Sequence, residues 1–236
     1  MNRRKPLFPL AWMACLAASL VLAYSPGALA ADKPPEVTED GLHLQKDTKT
    51  RVVYLRPGAT FDQYKRVAIL DCHVEFEKDW QRHFNQDQLG TQRRVSDQDM
   101  KRVTDGLAEE FKVIFTEELQ DKGGYQVVNV AAPDVLVLRP AIYNLAVTAP
   151  DLMTADRSRT VVESAGQMTL FLELWDSASN TVLARVIDAK ADRSGGGMAQ
   201  MANRVTNKAA ADRILRSWAG ELRKALDAAQ GKAPKD

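Results

Sequence analysis

Met168-Thr169-Leu170-Phe171-Leu172-Glu173-Leu174-Trp175-Asp176 is the stretch that decides the fold. Met168, Leu170, Leu172 and Leu174 alternate with Thr169, Phe171, Glu173 and Trp175, so an apolar row and a mixed row point to opposite sides of one strand. Asp176-Ser177-Ala178-Ser179-Asn180 has turn composition. Thr181 to Ala189 then returns as the hairpin partner.

The segments around this hairpin alternate in type. Arg51 to Leu55 is a strand ended by Pro57-Gly58, and Tyr64 to Phe76 is a longer apolar and β-branched strand. Tyr125 to Val130 is another, as is Asp134 to Val147, where Pro140 predicts a bulge or an edge. Between them, Ser96 stands as N-cap with Asp99 three residues on, as in a capping box. Met100, Val103, Leu107, Phe111, Ile114 and Phe115 share one helical face, and Gly123-Gly124 closes the helix. A last helix after the Ser194 to Gly197 loop carries Ala211, Ile214, Leu215, Trp218, Leu222, Ala225 and Leu226 on one side. These elements predict an α+β fold: a single domain over residues 51–229, with a mostly antiparallel sheet packed on one face by two amphipathic helices. No internal repeat is visible. Lys78 to Val95, about 18 residues and polar, is longer than most connections and reads as a functional loop.

The ends suggest export. Arg3-Arg4-Lys5 precede an apolar run from Leu7 to Tyr24, and Ala28-Leu29-Ala30 supplies a small-x-small cleavage site, the layout of a signal peptide over residues 1–30. Residues 31–50 read as a polar leader and 230–236 as a polar tail. Cleavage leaves 206 residues and lowers the formal charge from +1 to −2, because it removes three basic residues and no acidic one. That balance gives no basic footprint for nucleic acid. Of the two cysteines only Cys72 would remain, so no internal disulfide can form. Trp12-Met13-Ala14 before Cys15 lacks the Leu-Ala/Ser-Gly/Ala form of a lipid-attachment site, so cleavage is favoured over a lipid anchor.

The residues with chemical potential gather in Ile69 to His83. If Tyr64 to Phe76 is one strand, Ala68, Leu70, Cys72, Val74 and Phe76 share a face, while Val67, Ile69, Asp71, His73, Glu75 and Glu77 share the other. Cys72 and His73 then point apart and cannot pair, and Cys72 is an inert core thiol. Asp71, His73 and Glu75 lie about 7 Å apart along one edge. With His83 folded back they could ligate a metal, although a solvated strand face fits the same residues. The sequence has neither a Gly-x-Ser-x-Gly elbow nor a His-Glu-x-x-His helix. Glu109-Glu110 and Glu117-Glu118 are assigned to a solvated helix face. The glycine loop does not continue into a phosphate-binding Gly-Lys-Ser/Thr.

A set of ordered stretches is also informative. It includes Val53-Tyr54-Leu55-Arg56-Pro57-Gly58-Ala59, Leu138-Arg139-Pro140-Ala141-Ile142, Thr148-Ala149-Pro150-Asp151, Leu172-Glu173-Leu174-Trp175-Asp176-Ser177 and Asn203-Arg204-Val205-Thr206-Asn207. Their order resembles the bacterial exported family called domain of unknown function 3313, over about residues 40 to 227. The resemblance implies a cell-envelope protein, often a lipoprotein, with an α+β domain and no assigned reaction.

The expectation is therefore a non-catalytic periplasmic protein without a cofactor. It would bind another envelope component through the Lys78 to Val95 loop, with Trp80, Arg82, Phe84, Arg93 and Arg94 as contact residues. The alternative is a metal-dependent hydrolase or metal-binding protein using Asp71, His73, Glu75 and His83. A third is a small-ligand carrier with a pocket between sheet and helices.

Overall fold

The hairpin sits at the centre of an eight-stranded sheet. The computed structural model describes residues 33–48, 50–87, 94–147, 160–162, 166–192, 200–202 and 204–232. In chain order the strands are β1 (His43–Asp47), β2 (Arg51–Leu55), β3 (Arg66–Ile69), β4 (His73–Phe76), β5 (Gln126–Val127), β6 (Val135–Val147), β7 (Thr160–Val162), β8 (Gly166–Asp176), β9 (Thr181–Ala191) and β10 (Gln200–Ala202). The helices are α1 (Trp80–Asp87), α2 (Asp97–Thr116), which runs on into a π-helical segment over Glu117–Lys122, and α3 (Arg204–Ala229).

The sheet order is β1-β2-β9-β8-β6-β3-β5, with β4 also on β6, while β7 and β10 make a separate pair. From β1 to β6 every pairing is antiparallel; β3 and β4 run parallel to β6, and β5 runs parallel to β3. The result is a single α+β domain on a mixed, mostly antiparallel sheet. The alternation in β8 settles its orientation: Leu170, Leu172 and Leu174 join Leu136, Leu138 and Ile142 of β6 in the main core. Phe111 and Phe115 of α2, stacked at 3.8 Å, and Leu215 and Trp218 of α3 close that core from one side. The capping box is present: Ser96 Oγ accepts from Asp99 N–H and the Asp99 carboxylate accepts from Ser96 N–H.

Four expectations are corrected. First, Tyr64 to Phe76 is not one strand but β3 and β4, separated at Leu70 to Cys72. The cause lies in β6. Leu138 O accepts from Leu70 N–H at 3.0 Å. Two residues further along the same edge stands Pro140, which has no N–H, while on the other side it keeps its place opposite Leu172. Val67 and Ile69 are core residues of β3, so Leu70, 46% exposed, points outward by the same alternation, and the interruption then resets the parity. Cys72, Val74 and Phe76 still turn inward. The bulge in β6 falls later, at Asn144, with φ of 53°.

Second, the polar leader includes β1, an edge strand on β2, and Leu42 is fully buried against Tyr54 and Val182. Third, the Lys78 to Val95 interval contains helix α1. Fourth, Glu118 does not lie on a solvated face but is buried at the π-helical segment. The Ser194 to Gly197 loop, residues 1–30 and the last four residues lie outside the described residues, as does Arg93.

Candidate functional site

Beta alternation sends one set of side chains from β6, β8 and β9 to the face that α2 and α3 leave uncovered. Glu173 and Arg185 stand directly opposite each other on β8 and β9. Arg185 donates to Glu173 Oε1 through Nε at 2.9 Å and through its terminal nitrogen at 2.7 Å, and also reaches Asp40 Oδ2 at 2.6 Å. Trp175 donates its indole N–H to Glu173 Oε2 at 3.1 Å, so Glu173 is only 7% exposed yet well satisfied. Burial opposes the Arg185 charge, but hydrogen bonds and attraction from Asp40 and Glu173 outweigh it and raise its pKa. The Asp40 carboxyl is held below its ordinary range, first by the Thr38 hydroxyl and then by Arg185, against a desolvation that acts the other way.

Aromatic rings fill the spaces between these charges. The Arg185 guanidinium lies 5.6 Å over Phe171 and that of Arg139 lies 5.9 Å over Trp175. Tyr143 meets Phe171 edge-on at 6.4 Å, and His73 meets Tyr143 at 5.9 Å. At one end the face dips into a cavity of about 450 Å³ bordered by Leu70, Val130, Val137, Arg139 and Trp175.

The metal candidates are not gathered. Asp71 projects outward, 97% exposed, with Lys112 Nζ at 3.5 Å. His73 Nε2 lies 3.8 Å from Glu75 Oε2, both side chains 64% exposed, and His83 is on the exposed side of α1. Among the described residues no group of three or more His, Cys, Asp or Glu side chains is placed to hold a metal ion. Cys72 is buried, its Sγ 3.6 Å from His73 O, and desolvation pushes the thiol pKa up to about 12.

The contact residues expected in the loop separate into two kinds. Trp80 is 9% exposed, stacked 5.2 Å from Phe84 and 4.7 Å from Phe76, so α1 uses its aromatics to hold itself on β4. Arg82 is exposed and paired with Asp79 at 3.1 Å, and Arg94 is exposed.

Two buried charge clusters on the helix side are absent from the sequence expectations. Asp188 binds Arg51 at 2.8 Å and the Trp218 indole N–H at 2.8 Å, with Lys190 at 3.6 Å. Glu118 binds Arg223 at 3.0 Å and Lys122 at 2.7 Å; Arg223 also reaches Asp227 at 3.2 Å, and Asp227 accepts from Tyr125 Oη at 2.8 Å. A signal existed for both: Asp188 follows Ala184 and Val186 at inward parity, and Glu118 falls four residues after Ile114 and seven after Phe111.

The class of protein defined by these features is an α+β single-domain protein with one helix-covered sheet face and one open face of paired charges and rings. Residues 38–222 match the family described as "Protein of unknown function (DUF3313)", and the chain belongs to that family. No curated relative matches the chain by sequence. Among solved structures it is similar to the PelC dodecamer from Paraburkholderia phytofirmans, at 14% identity and a TM-score of 0.37, over 71% of this chain and 96% of that one. It is also similar to a Xanthomonas campestris protein of the DUF330 family, at 14% identity and a TM-score of 0.33, over 74% and 91%.

Proposed function

We propose that the protein is a non-catalytic binding module of the bacterial cell envelope, and that the open sheet face, rather than the Lys78 to Val95 interval, meets its partner. The observation that carries this reading is the Phe171, Trp175 and Tyr143 row interleaved with Arg139, Arg185 and Glu173 on a face that α2 and α3 do not cover. Aromatic and arginine side chains are the residue types that dominate binding energy at interfaces. The signal-like layout of residues 1–30 supports export, and no described helix is long and apolar enough to cross a membrane. Trp80 lies against Phe76 and stacks on Phe84, so these aromatics hold α1 in place, which favours the sheet face as the contact surface.

Site-specific photo-crosslinking in the host tests this. A benzoylphenylalanine at Tyr143 or Phe171 is expected to give adducts with one envelope component, whereas the same probe at Glu109 or Lys224, exposed on the helices, is not. Adducts from neither sheet position, or from all four alike, would count against the reading.

A further inference from the structure

We infer that the cavity at the Leu70 end of the open face is a recognition groove for an extended peptide segment of the partner, one that carries apolar side chains followed by carboxylates. This inference rests on the binding-module reading and names the chemistry that the module would take.

Two observations carry it. The first is apolar exposure. Leu70 and Val130 are 46% and 57% exposed, and both border this cavity, with Val137 beside them. Leu70 follows the core residue Ile69 and so points outward by the alternation of β3, which places an aliphatic side chain at the surface; the break beyond it lets Cys72, Val74 and Phe76 turn inward again. The groove is too small for a folded domain and of suitable size for one or two side chains.

The second is charge. Among the described residues lining the cavity, Arg139 is the one cation and Asp176 the one anion. Asp176 is committed elsewhere: Oδ2 accepts from the Tyr64 hydroxyl at 2.7 Å, and Oδ1 accepts from Ala178 N–H at 3.1 Å and Ser179 N–H at 2.6 Å. The carboxylate beside Arg139 is Glu173, at 4.0 Å, and it already holds Arg185 and the Trp175 indole. Arg139, with its side chain 64% exposed and its guanidinium over Trp175, therefore presents its donors at an apolar rim with no carboxylate nearer than 4.0 Å among the described residues. A carboxylate from outside completes it bidentately, which favours an acidic partner over a basic one. The rim also carries the amides of Asn129 and Asn180, which suit a peptide backbone better than an acyl chain.

The test measures fluorescence anisotropy of a labelled octapeptide, with a leucine–valine pair followed by two glutamates, against the full chain. Controls are the peptide with lysines for the glutamates and the peptide with serines for the apolar pair. Saturable binding of the acidic apolar peptide alone is expected. It should weaken about fivefold in Arg139→Gln and in Leu70→Ser, with unchanged far-UV circular dichroism because both side chains are at the surface. Equal binding of the lysine peptide, or unchanged affinity in Arg139→Gln, would overturn the inference. So would Arg139-dependent binding to phosphatidylglycerol vesicles without peptide binding, which would assign the groove to a lipid headgroup. If the peptide fails while crosslinks from Phe171 persist in Arg139→Gln, the groove inference falls and the binding module stands. If no crosslink forms from the open face at all, the module reading itself fails.

Discussion

Trp218 donates its indole N–H to the buried Asp188 carboxylate at 2.8 Å, fastening the last helix to the sheet. Arg51, from β2, holds the same carboxylate at 2.8 Å. Asp188→Ala takes the buried carboxylate from Arg51 and Lys190, which still share Glu221, and strands the Trp218 N–H, at a cost of about 1–3 kcal/mol. Trp218→Phe keeps most of the ring but removes the donor, costing about 1–2 kcal/mol. Urea unfolding followed by circular dichroism reads both; an Asp188→Ala loss under about 1 kcal/mol would show that the cluster is incidental.

Arg223 lies between two buried carboxylates, Glu118 and Asp227. Arg223→Met removes the cation the two share, leaving Glu118 with Lys122 and Asp227 with Tyr125 and Lys232, and should cost about 1.5–3 kcal/mol at neutral pH. Burial raises the Glu118 pKa, but Lys122 and Arg223 together outweigh it and leave the pKa below its ordinary value. A carboxyl depressed in the folded state stabilises the protein above its unfolded pKa and loses that contribution as pH falls through the folded one. The loss therefore begins below about pH 4.5 and should be shallower in Glu118→Gln. Thermal melts from pH 7 down to pH 3 would show parallel slopes for the two proteins if Glu118 were uninvolved.

Cys72 should resist alkylation in the folded protein. Its thiol is buried and its pKa pushed up to about 12, so almost no thiolate exists at pH 8. Peptide-resolved mass spectrometry after iodoacetamide should find the Cys72 peptide unmodified under native conditions and fully modified in guanidinium. Rapid native labelling would contradict the burial.

Gly123 and Gly106 should respond oppositely to alanine. A Cβ on Gly123 would meet Leu119 O at 2.6 Å, a Tyr125 ring carbon at 2.9 Å and Arg223 Cδ at 3.2 Å, so Gly123→Ala should cost about 1–3 kcal/mol. Gly106, inside α2, has open space there, and Gly106→Ala should stabilise by about 0.5–1 kcal/mol. Matching shifts in the two midpoints of denaturation would refute the steric account.

Much of the architecture is local and therefore legible. The Ser96 and Asp99 capping box, the stripe from Leu107 to Phe115 and the alternation of β8 each need only neighbours a few residues apart. The candidate face is half legible in the same way, because Glu173 and Trp175 are recognisably outward by parity. The carboxylate partner Arg185 depends on the hairpin register, and Leu70 joins the face because β3 buries Val67 and Ile69, a parity opposite to that of Cys72, Val74 and Phe76. His73 and Glu75 share one side of β4, but Asp71 falls in the break before it, beside Lys112, and His83 is carried on α1, a helix hidden in a polar interval.

By itself the sequence determined the α+β class, the two long amphipathic helices, the central hairpin and the burial of Cys72, because periodicity and capping are short-range properties of the chain. The tertiary structure decided the parallel placement of β3 and β4 on β6, the change of parity between Leu70 and Cys72 and the pairing of Asp188 with Arg51 and Trp218. Those depend on which backbone edge lacks a donor at Pro140, and on an indole and a guanidinium, 30 and 137 residues from Asp188, meeting its carboxylate in the core. No local pattern encodes such meetings, since their free energy arises only when packing has already removed water from both partners.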